Sequence, residues 1–159
     1  MVRTQARPVR APGIVGLFNP VVRRLLRLGV PLGPNALLTV RGRTSGLPRT
    51  FPIALLEHDG RLFIQSPYGD VNWVRNLRAD GRAVLDRGGR EQDVDAVELM
   101  PETAEPILRA ALAPYHRNPL IAAFARLFIP LDADASVNEV IQHVRQHPMF
   151  ELRPRTAID

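Results

Sequence analysis

Three turn signals divide residues 37–99 into apolar runs too short for anything but hairpin strands. Gly42-Arg43-Thr44-Ser45-Gly46-Leu47-Pro48 separates a run at 37–41 from one at 49–57. His58-Asp59-Gly60 separates that run from 61–66, and Gly88-Gly89 separates 82–87 from 90–99. An Asp-Gly step favours a tight hairpin because both central residues need positive φ, which glycine adopts without steric cost. At least five short, mainly antiparallel strands around one small helix fit a barrel better than a βαβ sheet, so the expected fold class is α+β. Pro52, inside the second run, removes a ladder donor and implies an edge or a bulge.

The small helix follows the turn Ser66-Pro67-Tyr68-Gly69-Asp70-Val71, with Asp70 or Asn72 as its expected cap. It runs through Leu77 and stops before Gly81. The last third of the chain is helical. One helix is expected from Pro101 to about Ala113. Asn118-Pro119 opens a second, with Leu120, Ile121, Phe124, Leu127 and Phe128, closed by Pro130. Ser136-Val137-Asn138-Glu139 is a capping box for a third helix, which ends at His147-Pro148 before a final strand at Met149-Phe150-Glu151-Leu152. Ahead of the strands, residues 1–13 read as a mobile basic arm and residues 14–159 as a single domain. Leu17, Val21, Leu25 and Leu28 form a stripe at helical spacing, with Arg23, Arg24 and Arg27 toward the other face. Such a helix either packs on the barrel or rests on anionic lipid.

Composition narrows the chemistry. There is no cysteine, which excludes disulfides and thiolate metal sites and fits a reducing, cytoplasmic setting. Of the four histidines only His143 and His147 have helical spacing, no HExxH is present, and no metal site is expected. No apolar run approaches the roughly 20 residues of a membrane span, and the arginine-rich N-terminus lacks the long apolar region of a signal peptide. Charge is lopsided: residues 1–56 hold nine arginines and no acid, whereas residues 57–159 hold twelve arginines against sixteen acids. Such asymmetry suits an acidic small ligand or an anionic surface. Nucleic acid is disfavoured, since no aromatic interleaves with the N-terminal arginines as a stacking platform requires.

The loop at 42–49 is itself built like an anion cradle. Two glycines let the backbone turn sharply and aim N–H groups into one concavity, Thr44 and Ser45 add hydroxyls, and Arg43 and Arg49 add forked guanidinium donors. The second turn, residues 66–77, is the other candidate half of a ligand site.

With Gly42-Arg43-Thr44-Ser45-Gly46-Leu47-Pro48-Arg49, Pro52, Asn72-Trp73-Val74-Arg75-Asn76-Leu77 and His147-Pro148-Met149-Phe150-Glu151-Leu152, the chain resembles the deazaflavin-dependent nitroreductase family. The resemblance covers about residues 35–100 and the last strand. It implies a split, FMN-binding-like β-barrel and coenzyme F420, a deazaflavin hydride carrier with a phosphate and an acidic glutamyl tail. It also implies transfer of hydride to a quinone, an enone or a nitro compound. By the same resemblance Arg43, Thr44, Ser45, Gly46 and Arg49 would hold phosphate and tail. Pro52 and the turn bearing Ser66, Tyr68, Gly69, Asn72 and Trp73 would border the ring, Asn76 would brace the turn, and Tyr115 would donate a hydrogen bond or proton to the acceptor. Trp73 also reads as an ordinary core anchor at a helix start. The chain departs from the family pattern at Thr44, where lysine is frequent, and in the apolar helix between Tyr115 and Ser136. Two other readings use the same fold: an FMN enzyme, since the loop accepts a single phosphate, and a non-enzymatic carrier of a hydrophobic molecule with residues 120–129 as its lid.

Overall fold

The computed structural model describes residues 36–117, 119 and 130–155, with Tyr115 described by its backbone alone. The basic arm, the helix bearing Leu17 to Leu28 and the apolar helix bearing Leu120 to Phe128 lie outside the described residues.

The element order is β1 (Ala36–Arg41), β2 (Pro48–Ile53), β3 (Leu55–His58), β4 (Arg61–Gln65), α1 (Asn72–Asp80), β5 (Arg82–Arg87), β6 (Arg90–Glu98), α2 (Pro101–His116), α3 (Val137–Gln146) and β7 (Met149–Pro154). Every strand pairing is antiparallel. The seven strands form one sheet in the order β2-β1-β5-β6-β7-β4-β3. Its two edge strands, β2 and β3, are consecutive in the chain with only Ala54 between them, so the sheet rolls until its edges meet at one bent segment. The result is the split barrel of an α+β protein. The run expected at 49–57 is therefore two strands: residues up to Ile53 pair with β1, and residues from Leu55 pair with β4. Pro52 is tolerated because β2 is an edge, where half the N–H groups have no ladder partner.

Side-chain alternation sorts the apolar residues into two cores. Leu55, Ile64, Phe150 and Leu152 point into the barrel with Leu38, Val40, Ala83, Leu85 and Val94, and α1 fills it with Trp73, Val74 and Leu77. Their neighbours Leu56, Phe63 and Met149 point outward against Ala104, Leu108, Ala111 and Leu112 of α2 and Val140 and Val144 of α3. Strands β3, β4 and β7 are thus covered on both faces. Phe63, Ile64 and Met149 have no exposed area, and replacing such a side chain by alanine costs on the order of 2–5 kcal/mol.

The turns follow the sequence signals. Asp59 (φ 50°) and Gly60 (φ 70°) are both left-handed, which matches the twist of the β3–β4 hairpin. Gly81 (φ 69°) ends α1 in the same conformation, its N–H donating to Leu77 O at 2.6 Å. Ser136 and Glu139 form the expected capping box of α3. The start of α1 is different: its N-cap is Val71, with no side-chain cap. The Asp70 carboxylate instead accepts from Arg75 Nε at 3.0 Å and Arg78 Nη1 at 2.9 Å, and Asn72 is the first helical residue.

Candidate functional site: the loop and helix end at one mouth of the barrel

The loop between β1 and β2 closes on itself. Gly42 N–H donates to Leu47 O at 2.8 Å, and Gly46 N–H to Gly42 O at 2.8 Å. Ser45 Oγ accepts from Leu47 N–H at 3.3 Å. Gly42 must lack a side chain, because a Cβ there would lie 2.8 Å from Ser45 Oγ and 3.1 Å from Leu47 O. With its ends tied, the loop leaves the N–H groups of Thr44 and Ser45 without a partner among the described residues.

Arg43 joins the loop to α1. Its backbone N–H and its Nη1 donate to Asn76 Oδ1 at 3.2 and 3.0 Å, and Nη2 lies 3.5 Å from Asn72 Oδ1. Asn72 and Asn76 are one helical turn apart and share a face, so two amide oxygens meet one guanidinium. An amide oxygen orients the cation without neutralising it. Among the described residues no carboxylate pairs with Arg41, Arg43 or Arg49, all of them exposed. The uncapped first turn of α1 adds to this, since the N–H groups of Asn72, Trp73 and Val74 also have no partner among the described residues. Orphan amides at a helix start and three unneutralised guanidiniums together favour an anion.

The second half of the site lies where β4 leaves the sheet. Pairing between β3 and β4 stops at Leu55–Ile64. One step further the register would set Ala54 and Ile53 across from Gln65 and Ser66, but β2 has turned away to pair with β1. Phe51 and Pro52 on β2 and Pro67 and Tyr68 in the turn after β4 are half-buried. Gly69 (φ 72°) lies under α3, where a Cβ would come within 3.0 Å of Gln146 O.

The predicted residues therefore divide. Arg43, Asn72 and Asn76 are in contact, with Thr44, Ser45 and Gly46 on the same loop; Arg49 lies exposed at the start of β2. Ser66 has no exposed area and donates its hydroxyl to Gly69 O at 2.6 Å, so it shapes the turn. Trp73 is 9% exposed, with its ring 6.0 Å from that of Phe150 inside the barrel, so its side chain is a core anchor. Tyr115 falls in the last turn of α2.

Most of what supports the turn at residues 66–69 was missed at the level of sequence. His147, expected at a frayed helix end, is the cap of α3, its N–H donating to His143 O. Its Nδ1 lies 3.1 Å from Ser66 O, and its ring stacks on His143 at 4.4 Å. Gln65 Nε2 donates to His147 O at 3.2 Å. Burial, and then the neighbouring His147, push the His143 pKa down to about 4. The i, i+4 histidines were the visible signal; nothing marked Gln65 except polarity at the end of an apolar strand.

One hollow, of about 600 Å³, is lined by Leu85, Arg87, Arg90, Glu91 and Gln92. It opens at the far end of β5 from the loop. A smaller one of about 300 Å³ adjoins the loop through Arg41, Gly46 and Pro48, with Arg82 opposite.

The family model described as F420H2-dependent quinone reductase matches residues 20–118. The chain belongs to this family. Its cofactor is accordingly coenzyme F420, and the protein is an F420-dependent reductase. No curated protein matches the reductase in sequence. Among solved structures, an F420-H2 dependent reductase is 22% identical, with a TM-score of 0.50, covering 76% of this chain and 94% of its own. A chain described as a domain-swapped dimer is 23% identical, with a TM-score of 0.53 and coverages of 84% and 95%. A protein described as a candidate pyridoxamine 5′-phosphate oxidase from Listeria innocua is 11% identical, with a TM-score of 0.50 and coverages of 86% and 94%. These likenesses establish the split-barrel fold of the reductase.

Proposed function

We propose that this reductase transfers hydride from reduced F420 to a quinone-type acceptor, binding the cofactor across the mouth formed by residues 42–49, 66–73 and Asn76. The carrying observation is the Arg43 guanidinium, oriented by Asn72 and Asn76 and neutralised by neither. Bound reduced F420 would supply a hydride, which is two electrons and one proton; with one further proton this converts the two carbonyls of a quinone into the two hydroxyls of a hydroquinone. The protein's share is positioning. Arg43, Arg49 and the backbone amides of Thr44 and Ser45 hold the phosphate and acidic tail, while the first-turn amides of α1 supply further donors. Phe51, Pro52, Pro67 and Tyr68 offer an apolar slot that excludes water from the ring. Tyr115 donates its phenolic proton to the acceptor oxygen.

A quinone is favoured over an enone or a nitro compound by the family's description. A membrane-dissolved quinone also makes sense of the N-terminal sequence. Six arginines before Gly29 and the stripe from Leu17 to Leu28 would draw the protein to an anionic surface, at about 1 kcal/mol per arginine. No helix among the described residues is long and apolar enough to cross a membrane. The test is oxidation of F420H2 by menadione, an enone and a nitroarene, followed for wild type and Tyr115→Phe. The expected result is fastest turnover with menadione and a kcat about 10²-fold lower in the variant. Turnover with the enone or nitroarene alone would replace the acceptor assignment, and an unchanged kcat would remove Tyr115.

A further inference from the structure

The end of α3 is tied to the turn at residues 66–69, and it is tied through side chains where a plain strand junction would need none. Antiparallel pairing of β4 with β7 brings residues 65–66 beside residues 147–148. Ser66 is fully buried, and both its backbone groups are engaged across this junction: its N–H donates to Pro148 O at 2.9 Å, and its carbonyl faces His147 Nδ1 at 3.1 Å. A carbonyl oxygen only accepts, so Nδ1 must carry the hydrogen, which fixes the His147 tautomer. Gln65, 8% exposed, donates through Nε2 to His147 O at 3.2 Å and turns Oε1 toward His143 Nε2 at 3.4 Å. The His143 ring stacks on His147 and holds its plane. From Ser66 the chain of bonds continues into the turn: Ser66 Oγ to Gly69 O at 2.6 Å, and Val71 N–H to Gly69 O at 2.9 Å. Gly69 sits directly under Gln146 O.

We infer that His147 is a positioning residue for hydride transfer: through Ser66 it sets the height and tilt of the turn at residues 66–69 against the cofactor ring. This rests on the proposed placement of the ring between β2 and that turn. The anion-holding loop stands apart from it, since Arg43 is fixed by α1 and not by α3. His147 therefore controls the reacting end of the cofactor and leaves the anchoring end alone.

The experiment compares His147→Ala, His147→Asn and His147→Gln in the full-length protein. It measures F420 affinity by fluorescence titration, and kcat and KM for menadione with F420H2. Asparagine places its amide N–H where Nδ1 stood, whereas glutamine carries its donor at the position of Nε2. His147→Ala is expected to lower kcat about 10- to 100-fold, as a misplacement near 1 Å does. F420 affinity should change less than threefold, and His147→Asn should restore the larger part of kcat. A wild-type kcat in His147→Ala, with only the melting temperature lowered, would make the residue purely structural and overturn the inference. Should His147→Ala fail to fold, the other pair decides: equal kcat in His147→Asn and His147→Gln overturns it, and loss in glutamine alone sustains it. Arg43→Ala separates this inference from the reading beneath it. If Arg43→Ala leaves F420 affinity unchanged, the site itself is misplaced; if it weakens affinity while His147→Ala leaves kcat alone, only the role of His147 falls.

Discussion

The arginines at the mouth of the barrel and those on its flanks have opposite surroundings. Arg78 spans Asp70 Oδ1 at 2.9 Å and Glu98 Oε1 at 2.6 Å, and Arg61 and Arg153 meet Glu151 Oε2 at 2.7 and 2.9 Å. Arg43 is held less tightly, and by two amides, at 3.0 Å from Asn76 Oδ1 and 3.5 Å from Asn72 Oδ1. A carboxylate partner satisfies both the geometry and the charge of a guanidinium, whereas an amide satisfies geometry alone and leaves the charge for something else. The flanking pairs organise the fold, and the mouth is where the ligand is proposed to bind. Within one small barrel, the identity of the hydrogen-bond acceptor separates the two uses of the same side chain.

The sharpest way to break this comparison is to remove one arginine of each kind. Arg43→Ala should weaken F420 binding by about 1.5–3 kcal/mol, or roughly 10- to 150-fold, with the melting temperature nearly unchanged. Arg61→Ala should do the reverse, lowering the melting temperature while leaving F420 affinity alone, because it takes an ion-pair partner from a Glu151 carboxylate that is only 5% exposed. Fluorescence titration and thermal melts on both proteins suffice. A shared loss of affinity would show that the cofactor senses the whole field and not the mouth.

Acid should next separate the regions through stability. The His143 pKa is about 4 in the folded protein against an ordinary 6.5. The unfolded chain therefore binds a proton first, and stability falls as pH drops from about 6.5 to 4. Allowing for partial exposure, the loss amounts to about 2 kcal/mol. Glu151 acts lower on the scale. The hydrogen bond from Arg61, and then Arg153, hold its carboxyl well below the usual range, so the stability it lends is present at neutral pH and is lost as pH falls below that range. Urea midpoints at pH 7, 5 and 4 check the first step. In His143→Phe the decline between pH 6.5 and 4 should shrink; an identical decline would assign it elsewhere.

Most of the fold was legible because it rests on local chemistry. Asp59-Gly60 dictates a hairpin, Ser136 and Glu139 dictate a helix start, and the alternation Leu55/Leu56 and Phe63/Ile64 fills two cores. The loop at 42–49 was legible for the same reason. What the residues did not reveal is non-local. No periodicity announces that Arg43 will choose Asn76, 33 positions away, or that Ser66 will meet His147 across 81. The break at Ala54 is likewise a property of the rolled sheet, since only closure makes β2 and β3 opposite edges. The expected cap on α1 failed instructively, because Asp70 found arginines and Asn72 found Arg43, and the helix start was left without a side-chain cap.

The smallest effect tests the mouth by adding charge to it. Thr44 is exposed, makes no side-chain hydrogen bond among the described residues, and stands where the resemblance pattern frequently has lysine. Its N–H has no partner among the described residues and its neighbours are Arg43 and Ser45, so a lysine there would extend the cationic lip without disturbing the loop closure at Gly42 and Leu47. A surface ion pair contributes about 0.2–1 kcal/mol and is screened within about 10 Å at 0.1 M salt. Thr44→Lys should therefore tighten F420 binding by no more than about fivefold at low salt, and more for coenzyme with a long glutamyl tail than for one with a short tail. The gain should vanish at high salt, where the wild type retains the contribution of Arg43, which its two amide partners hold in place. Titrating both proteins with long- and short-tailed coenzyme at two ionic strengths decides the point. An equal gain for both tail lengths would mean that the tail does not pass Thr44, and the cationic mouth would then serve the phosphate alone.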